Sequence, residues 1–162
     1  MRRLIVLAAA IAALGVVNYG VWEKEKLIAA SRVIFLELAP VDPRSLMQGD
    51  YMALRFRIED DASSNIRGGD AGMLIVKLDD RQVARFSRPD DGKALAGDEA
   101  RVRYRTVNGR PSLAPKAFFF QEGHAERYAS ARYGELRLTP GGDLFLTDLR
   151  GEKLEPLKGS GE

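Results

Sequence analysis

Cysteine is absent from the 162-residue sequence, and histidine occurs only once. The absence of cysteine excludes disulfide bonds and thiolate chemistry, and it fits an oxidising compartment. A single histidine excludes zinc motifs built on two histidines, such as H-x-x-x-H. We therefore expect neither a metal ion nor a cofactor.

Net charge is also lacking outside the N-terminus. Apart from Arg2 and Arg3, 23 Lys and Arg residues balance 23 Asp and Glu residues. The sequence pI of about 9.0 therefore does not indicate a basic surface, and we expect no nucleic-acid binding. The content of 45% hydrophobic and 30% charged residues is typical of a globular protein.

Charged residues are missing altogether between Leu4 and Trp22 (LIVLAAAIAALGVVNYGVW). A helix of this length spans about 28 Å, close to the roughly 30 Å hydrocarbon layer of a bilayer. Arg2 and Arg3 precede the run, and Tyr19 and Trp22 lie at its far end, where aromatic rings favour the membrane interface. The run predicts one transmembrane anchor in the lipid bilayer, with the N-terminus in the cytoplasm.

Two other interpretations of this run remain open, a cleaved signal peptide and a buried helix of a soluble protein. Against cleavage, the sequence after the run (NYGVWEKEK) lacks an A-x-A-like site, and Ile28 in IAAS stands where a small residue is needed. The segment Glu23–Ser31 contains mostly good helix formers, so it predicts a juxtamembrane helix. We therefore assign residues 1–31 to the cytoplasmic N-terminus, the anchor and this extension.

Small residues are frequent in the predicted anchor. Because small side chains let helix backbones approach closely in lipid, one flank of the anchor is suited to packing against another transmembrane helix. The alternative is that alanine is simply common in bacterial anchors. The small residues are Ala8, Ala9, Ala10, Ala12, Ala13 and Gly15.

After residue 31 the apolar residues alternate or form short blocks bounded by turn residues, which is typical of β-strands. We expect a mainly β domain over residues 32–155, an antiparallel β-sandwich or small β-barrel of seven or eight strands, followed by a flexible tail over 156–162. Asn108-Gly109 predicts a tight hairpin. The other predicted strands are Arg32–Leu38, Tyr51–Ile58, Gly72–Leu78, Gln82–Ser87, Phe118–Phe120 (buried), Arg132–Thr139 and Leu144–Leu149.

The stretch before the second predicted strand forms a candidate binding corner. Its prolines, Pro40 and Pro43, restrict the backbone on both sides of Asp42, whose carboxylate is suited to accept hydrogen bonds from the following amides. Asp50 lies where the strand begins and is placed to tie the turn or to pair with Arg44. The candidate binding residues are Asp42, Arg44, Asp50 and Tyr51; a purely structural corner is the alternative.

The same stretch carries a resemblance to a known family. Residues 49–56 read GDYMALRF and resemble the motif of the GDYXXLXY proteins, with Phe56 in place of the last Tyr. The segments PVDPRSLMQ and FFFQEGHAERYASARYGELRL and the apolar N-terminus are also similar to the family pattern. The resemblance implies a bacterial membrane-associated protein without an established activity, for which the predicted topology means an inner-membrane anchor and a periplasmic β domain. It further implies a multi-spanning membrane protein as partner.

A second candidate cluster follows the predicted aromatic strand. If residues 122–130 form a helix, Glu122 and Glu126 share one face, where two carboxylates suit cation binding or acid–base chemistry. A solvated helix face is the alternative interpretation. From this cluster we select Glu122, Arg127 and Tyr128 as candidate binding residues.

A hydrolase is the main functional alternative. The segment SLMQGD, which begins at Ser45, weakly resembles the nucleophile segment of type I signal peptidases, with Lys77 or Lys116 as the base. It lacks the Met-x-Pro-x pattern of those enzymes; the carboxylates of Asp50 and Glu122 are the other catalytic candidates. We expect a membrane-anchored binding or accessory subunit rather than an enzyme, with a soluble periplasmic ligand-binding domain as the third possibility.

Overall fold

The structure is a computed structural model, and it describes residues 13–22, 25–26, 30–39, 51–66, 69–121 and 125–157. The chain divides into two compact units, Met1–Ser31 and Arg32–Glu162. The candidate residues Asp42, Arg44, Asp50 and Glu122 lie outside the described residues, as does Ser45.

The first unit is helical over residues 13–22. Leu14 and Val16 are 62% and 74% exposed. The ring centroids of Tyr19 and Trp22 are 6.1 Å apart, and the Lys26 ammonium lies 3.7 Å from the Trp22 ring centroid. Within the described residues, no helix combines the length and the apolar character needed to cross a bilayer. Residues 4–12 of the predicted anchor lie outside the described part.

The second unit is built from strands, and all pairings within its sheets are antiparallel, which confirms the prediction of a mainly β domain. Its described residues form sheets in the orders β1-β8-β9, β2-β7 and β4-β3-β5-β6. Two short helices are α1 (Arg57–Ser63) and α2 (Ala125–Tyr128). The strands are β1 (Arg32–Glu37), β2 (Tyr51–Ala53), β3 (Ala71–Leu78), β4 (Ala84–Pro89), β5 (Glu99–Val107), β6 (Arg110–Ser112), β7 (Ala117–Phe119), β8 (Tyr133–Leu138) and β9 (Leu144–Arg150).

The three-stranded sheet meets the four-stranded sheet at two places. On one side, the Phe35 N–H donates to the Gln82 carbonyl oxygen at 2.9 Å; on the other, the Arg103 N–H donates to the Gly142 carbonyl oxygen at 2.8 Å. The sheets therefore share one core. Its fully buried side chains include Ile34, Leu36, Phe56, Leu74, Val76, Val102, Leu136 and Leu149.

The predicted strand Tyr51–Ile58 is only partly correct. Met52, Leu54, Phe56 and Ile58 are all buried, as the alternation predicted. The strand itself ends at Ala53, however, and α1 begins at Arg57. Acidic residues in the first turn of α1 favour a helix start there. The expectation of one continuous strand was wrong because a helical turn also buries Ile58.

The hairpin predictions are confirmed. Asn108 and Gly109 have φ values of 52° and 75°, as a tight two-residue turn between β5 and β6 requires. The segments Arg132–Thr139 and Leu144–Leu149, predicted as strands, correspond to β8 and β9, which pair with Leu138 opposite Leu144.

Two parts of the chain differ from the sequence-based expectations. The strand predicted as buried at Phe118–Phe120 is β7, and its Phe119 is 74% exposed because that side chain points away from the core. Leu157, in the predicted flexible tail, is 7% exposed and belongs to the core. The folded domain thus extends at least to this residue.

We predict that Gly134→Ala destabilises the β domain. A Cβ atom at Gly134 would lie 2.9 Å from Phe56 Cε1 and 3.1 Å from Leu146 Cδ1, and overpacking a core typically costs about 1–3 kcal/mol. Urea unfolding measures the change. Gly97→Ala is the matched control, because a Cβ atom there meets nothing within 4 Å. Equal unfolding midpoints for the two variants would contradict the prediction.

Candidate functional site

A charged cleft of about 560 Å³ lies where β1 ends and β8 begins. Its wall is formed by the end of β1, the segment that enters α1, the start of β8 and Glu152. The lining residues are Glu37, Leu38, Ala39, Arg55, Arg57, Asp60, Asp61, Arg132, Tyr133 and Glu152.

Two arginines of the cleft are Arg55, within the family-like motif, and Arg57, directly after it. Leu54 and Phe56 are buried in the core, whereas Arg55 and Arg57 are exposed. The backbone here is tied to β1, because the Ala39 N–H donates to the Arg55 carbonyl oxygen at 2.8 Å. The burial pattern that forms the core thus also supplies two cations of the cleft.

Two ion pairs cross or line the cleft. Arg57 Nη1 lies 2.8 Å from Glu37 Oε1, and Arg55 Nη2 lies 2.9 Å from Asp60 Oδ2. The hydrogen bond to Glu37 raises the pKa of Arg57, and the charge of Asp61 raises it further. These pairs are solvent-exposed, so they orient the walls more than they stabilise the fold.

Arg132 differs from the other two arginines. Its backbone is held on both sides, since its carbonyl oxygen accepts from the Leu38 N–H and its N–H donates to the Arg150 carbonyl oxygen, each at 2.8 Å. Its guanidinium forms no ion pair or hydrogen bond with another described residue. Next to it, the Tyr133 ring centroid lies 5.9 Å from the Arg81 guanidinium carbon.

Three of the candidate binding residues predicted from the sequence, Tyr51, Arg127 and Tyr128, are among the described residues, and they lie outside the cleft. Tyr51 is paired with Phe119 across β2 and β7, and their ring centroids are 5.8 Å apart. Tyr128 is 9% exposed and packs edge-on against Phe118 at 5.0 Å. Arg127 Nε donates to the Leu157 carbonyl oxygen at 2.6 Å. None of these three candidates lines the cleft.

The arginine and tyrosine at the start of β8 were missed by the sequence analysis. Nothing in the local pattern at Arg132 and Tyr133 distinguishes them from other strand residues that alternate between core and surface. They face the cleft only because β8 pairs with β1, with Tyr133 opposite Glu37.

Glu59 is a buried carboxylate that the sequence analysis also missed. It is 4% exposed, and its Oε1 accepts from the Leu113 N–H at 3.0 Å while its Oε2 accepts from Lys116 Nζ at 2.7 Å. Both oxygens are therefore satisfied, as a buried carboxylate requires. The bond network joins α1 to the segment before β7.

The two lysines considered as a catalytic base are both ion-paired. Lys116 pairs with Glu59, and Lys77 Nζ lies 3.2 Å from Asp98 Oδ2. Because Ser45 lies outside the described residues, the Ser–Lys hydrolase stays a prediction.

A second group of charges surrounds the loop between β4 and β5, away from the cleft. Arg101 Nε lies 3.0 Å from Asp90 Oδ2, and Arg88 bridges Asp91 and Glu99 at 2.6 and 3.2 Å. The hydrogen bond from Lys93 lowers the pKa of Asp91 to about 2. These carboxylates and cations compensate each other, so the group orders the loop.

A family model for GDYXXLXY proteins matches residues 13–149. The chain belongs to the GDYXXLXY family. No curated protein and no solved structure matches it. In this GDYXXLXY protein, Leu54, which corresponds to the Leu of the motif name, is a core residue, and Phe56 at the final aromatic position is fully buried.

We predict that Lys116→Met destabilises the domain more than Lys77→Met. Removing Lys116 leaves a buried carboxylate with one of its two partners, which typically costs about 1–3 kcal/mol. Lys77 and Asp98 form an exposed pair, with side chains 66% and 46% exposed, so its loss changes stability by less than about 1 kcal/mol. Chemical unfolding of both variants measures the difference. A larger loss for Lys77→Met would refute the assignment.

Proposed function

We propose that this GDYXXLXY protein is a membrane-anchored accessory subunit of the bacterial cell envelope. Residues 4–22 anchor the chain in the inner membrane, the N-terminus is cytoplasmic, and the β domain lies in the periplasm. The domain and the anchor together bind a multi-spanning membrane protein. The observation that carries the proposal is the uncharged run Leu4–Trp22, which lies in a different compact unit from the β domain that begins at Arg32.

The described part of the helix supports an apolar environment for this run. Leu14, Val16 and Val17 are each more than 60% exposed, and a stretch of exposed apolar side chains is unfavourable in water. At its end, the Tyr19 and Trp22 rings are paired and the Lys26 ammonium contacts Trp22. Aromatic rings followed by a lysine are typical of a helix end at the membrane interface.

The small residues of the anchor support a helical partner. Ala13 and Gly15 lie on the described helix, and a Cβ atom at Gly15 meets nothing within 4 Å. Larger side chains there are thus compatible with the chain itself. In lipid, such small residues favour close packing against another helix.

We predict that protease added to spheroplasts removes the β domain and leaves an N-terminal fragment in the membrane fraction. The positive charges of Arg2 and Arg3 keep the N-terminus on the cytoplasmic side, so the domain is accessible from outside. An N-terminal epitope tag detects the fragment in immunoblots. Intact cells are the control. Complete protection of the domain in spheroplasts reverses the proposed orientation, and a free soluble domain establishes cleavage.

We further predict that Ala13→Leu combined with Gly15→Leu weakens recovery of a polytopic protein in mild detergent. The added bulk separates the anchor from its partner helix while the run stays apolar, so membrane insertion is retained. Quantitative mass spectrometry of the purified protein measures the partner.

The matched control for this experiment is Val16→Leu combined with Val17→Leu, which adds bulk on the same helix without filling small positions. Equal partner yields from the Ala13/Gly15 double variant and from the unmodified chain would mean that the helix is only a tether. Recognition would then rest on the β domain.

A further inference from the structure

We propose that the cleft at the end of β1 binds a ligand that carries one carboxylate and two ammonium groups. The groups are those of free lysine, and they also occur in a peptide segment with one acidic and two lysine side chains. The inference goes beyond the proposed anchoring, because it depends only on the charges of the cleft.

The unmatched charges of the cleft define this ligand class. Among the residues that the structure describes, seven charged side chains line it, and four of them form the two ion pairs of Arg55 and Arg57. Three remain without an ion pair in the described part of the chain: the guanidinium of Arg132 and the carboxylates of Asp61 and Glu152. A complementary ligand therefore presents one anionic and two cationic groups.

Arg132 is suited to hold the carboxylate. A guanidinium presents a planar set of donors that matches a carboxylate with two parallel hydrogen bonds. The backbone of Arg132 is fixed between Leu38 and Arg150, so the side chain starts from a defined position. The other two carboxylates, Glu37 and Asp60, are already paired with Arg57 and Arg55. This pairing reduces their repulsion of an incoming carboxylate.

The carboxylates of Asp61 and Glu152 are suited to the ammonium groups. Asp61 is exposed on α1, where it attracts Arg57 without forming an ion pair. Glu152 is exposed after β9, and its backbone carbonyl oxygen, rather than its carboxylate, accepts a hydrogen bond from Arg81 at 3.4 Å. Both carboxylates thus remain available to a cation.

The size and walls of the cleft agree with such a ligand. Its volume of about 560 Å³ falls within the range of about 300–1,000 Å³ that is usual for small-molecule sites. Leu38, Ala39 and the half-buried Tyr133 supply apolar surface for an aliphatic chain. Such a mixture of apolar surface and a few charged groups is typical of binding sites.

Calorimetric titration of the full-length chain in detergent tests the proposal. The probes are L-lysine and the capped peptide acetyl-Gly-Lys-Glu-Lys-Gly-amide, which carry the same three charges. We expect at least one probe to bind saturably, and Arg132→Gln to weaken that binding about tenfold through loss of the charged hydrogen bonds. L-lysinamide, which lacks the carboxylate, should bind about tenfold more weakly than L-lysine.

The matched control is Arg105→Gln. Arg105 is an exposed arginine on β5 without an ion pair among the described residues, and it lies outside the cleft, so its removal should leave affinity unchanged. Thermal unfolding establishes that both variants are folded.

Each outcome of the titration is decisive. Binding of L-lysine that depends on Arg132 supports the proposal with a free amino acid as ligand, and dependence seen only with the peptide supports it with a protein segment as ligand. Absence of saturable binding to both probes overturns it, as does equal affinity in the Arg132→Gln variant. Neither result changes the outcome expected in the spheroplast experiment. The proposal for the cleft can therefore be refuted independently of the proposal for the anchor.

Discussion

The contact between Phe56 and Gly134 is the constraint on which the arrangement of the β domain depends. Phe56 is fully buried, and its ring occupies the space that a side chain at position 134 would otherwise fill. Phe56 also forms a β-bridge with Leu38 and immediately precedes α1. One ring therefore joins β1, β8 and the start of a helix, because the glycine lets the strand backbone approach it closely.

The cleft is built by chain segments next to this contact. Phe56 points inward while its neighbours Arg55 and Arg57 are exposed, and Glu37 at the end of β1 and Arg132 just before β8 supply the facing carboxylate and guanidinium. Glu59 lies three residues after Phe56, and its carboxylate accepts hydrogen bonds from the Leu113 N–H and the Lys116 ammonium. These bonds tie α1 to the segment before β7, while the charged side chains of the cleft stay exposed to solvent.

The proposed functions of the two units rely on different physical effects. For the N-terminal run, the transfer of apolar side chains out of water favours a membrane. For the cleft, the charged side chains that form no ion pair favour a ligand whose charges are of opposite sign at each position. Tethering the domain to the membrane would raise its effective concentration toward any partner in the same bilayer. In this proposal, the charged cleft adds a selectivity that the apolar run lacks.

Much of the fold followed from local patterns. The alternation at Met52, Leu54 and Phe56 predicted which side chains are buried, and Asn108-Gly109 predicted a turn, because both effects act between residues close in sequence. The length of the strand after Tyr51 was overestimated, since periodicity reports burial and a helical turn from Arg57 buries Ile58 equally well. Phe119 was expected inside because it lies in an aromatic run, but successive side chains of a strand point to opposite faces, and Phe119 lies on the exposed face of β7.

The sequence by itself determined the family, the mainly β character of the domain and the charge-free N-terminal run, since each depends on composition or on short-range order. Only the tertiary structure decided that Arg132 shares a cleft with Arg55 and Arg57, although they are far apart in the chain. It also decided that Glu59 is buried with Lys116 as its partner. Such pairings depend on strand register and on how the sheets meet, and the side chains that form them carry no local signal of their neighbours.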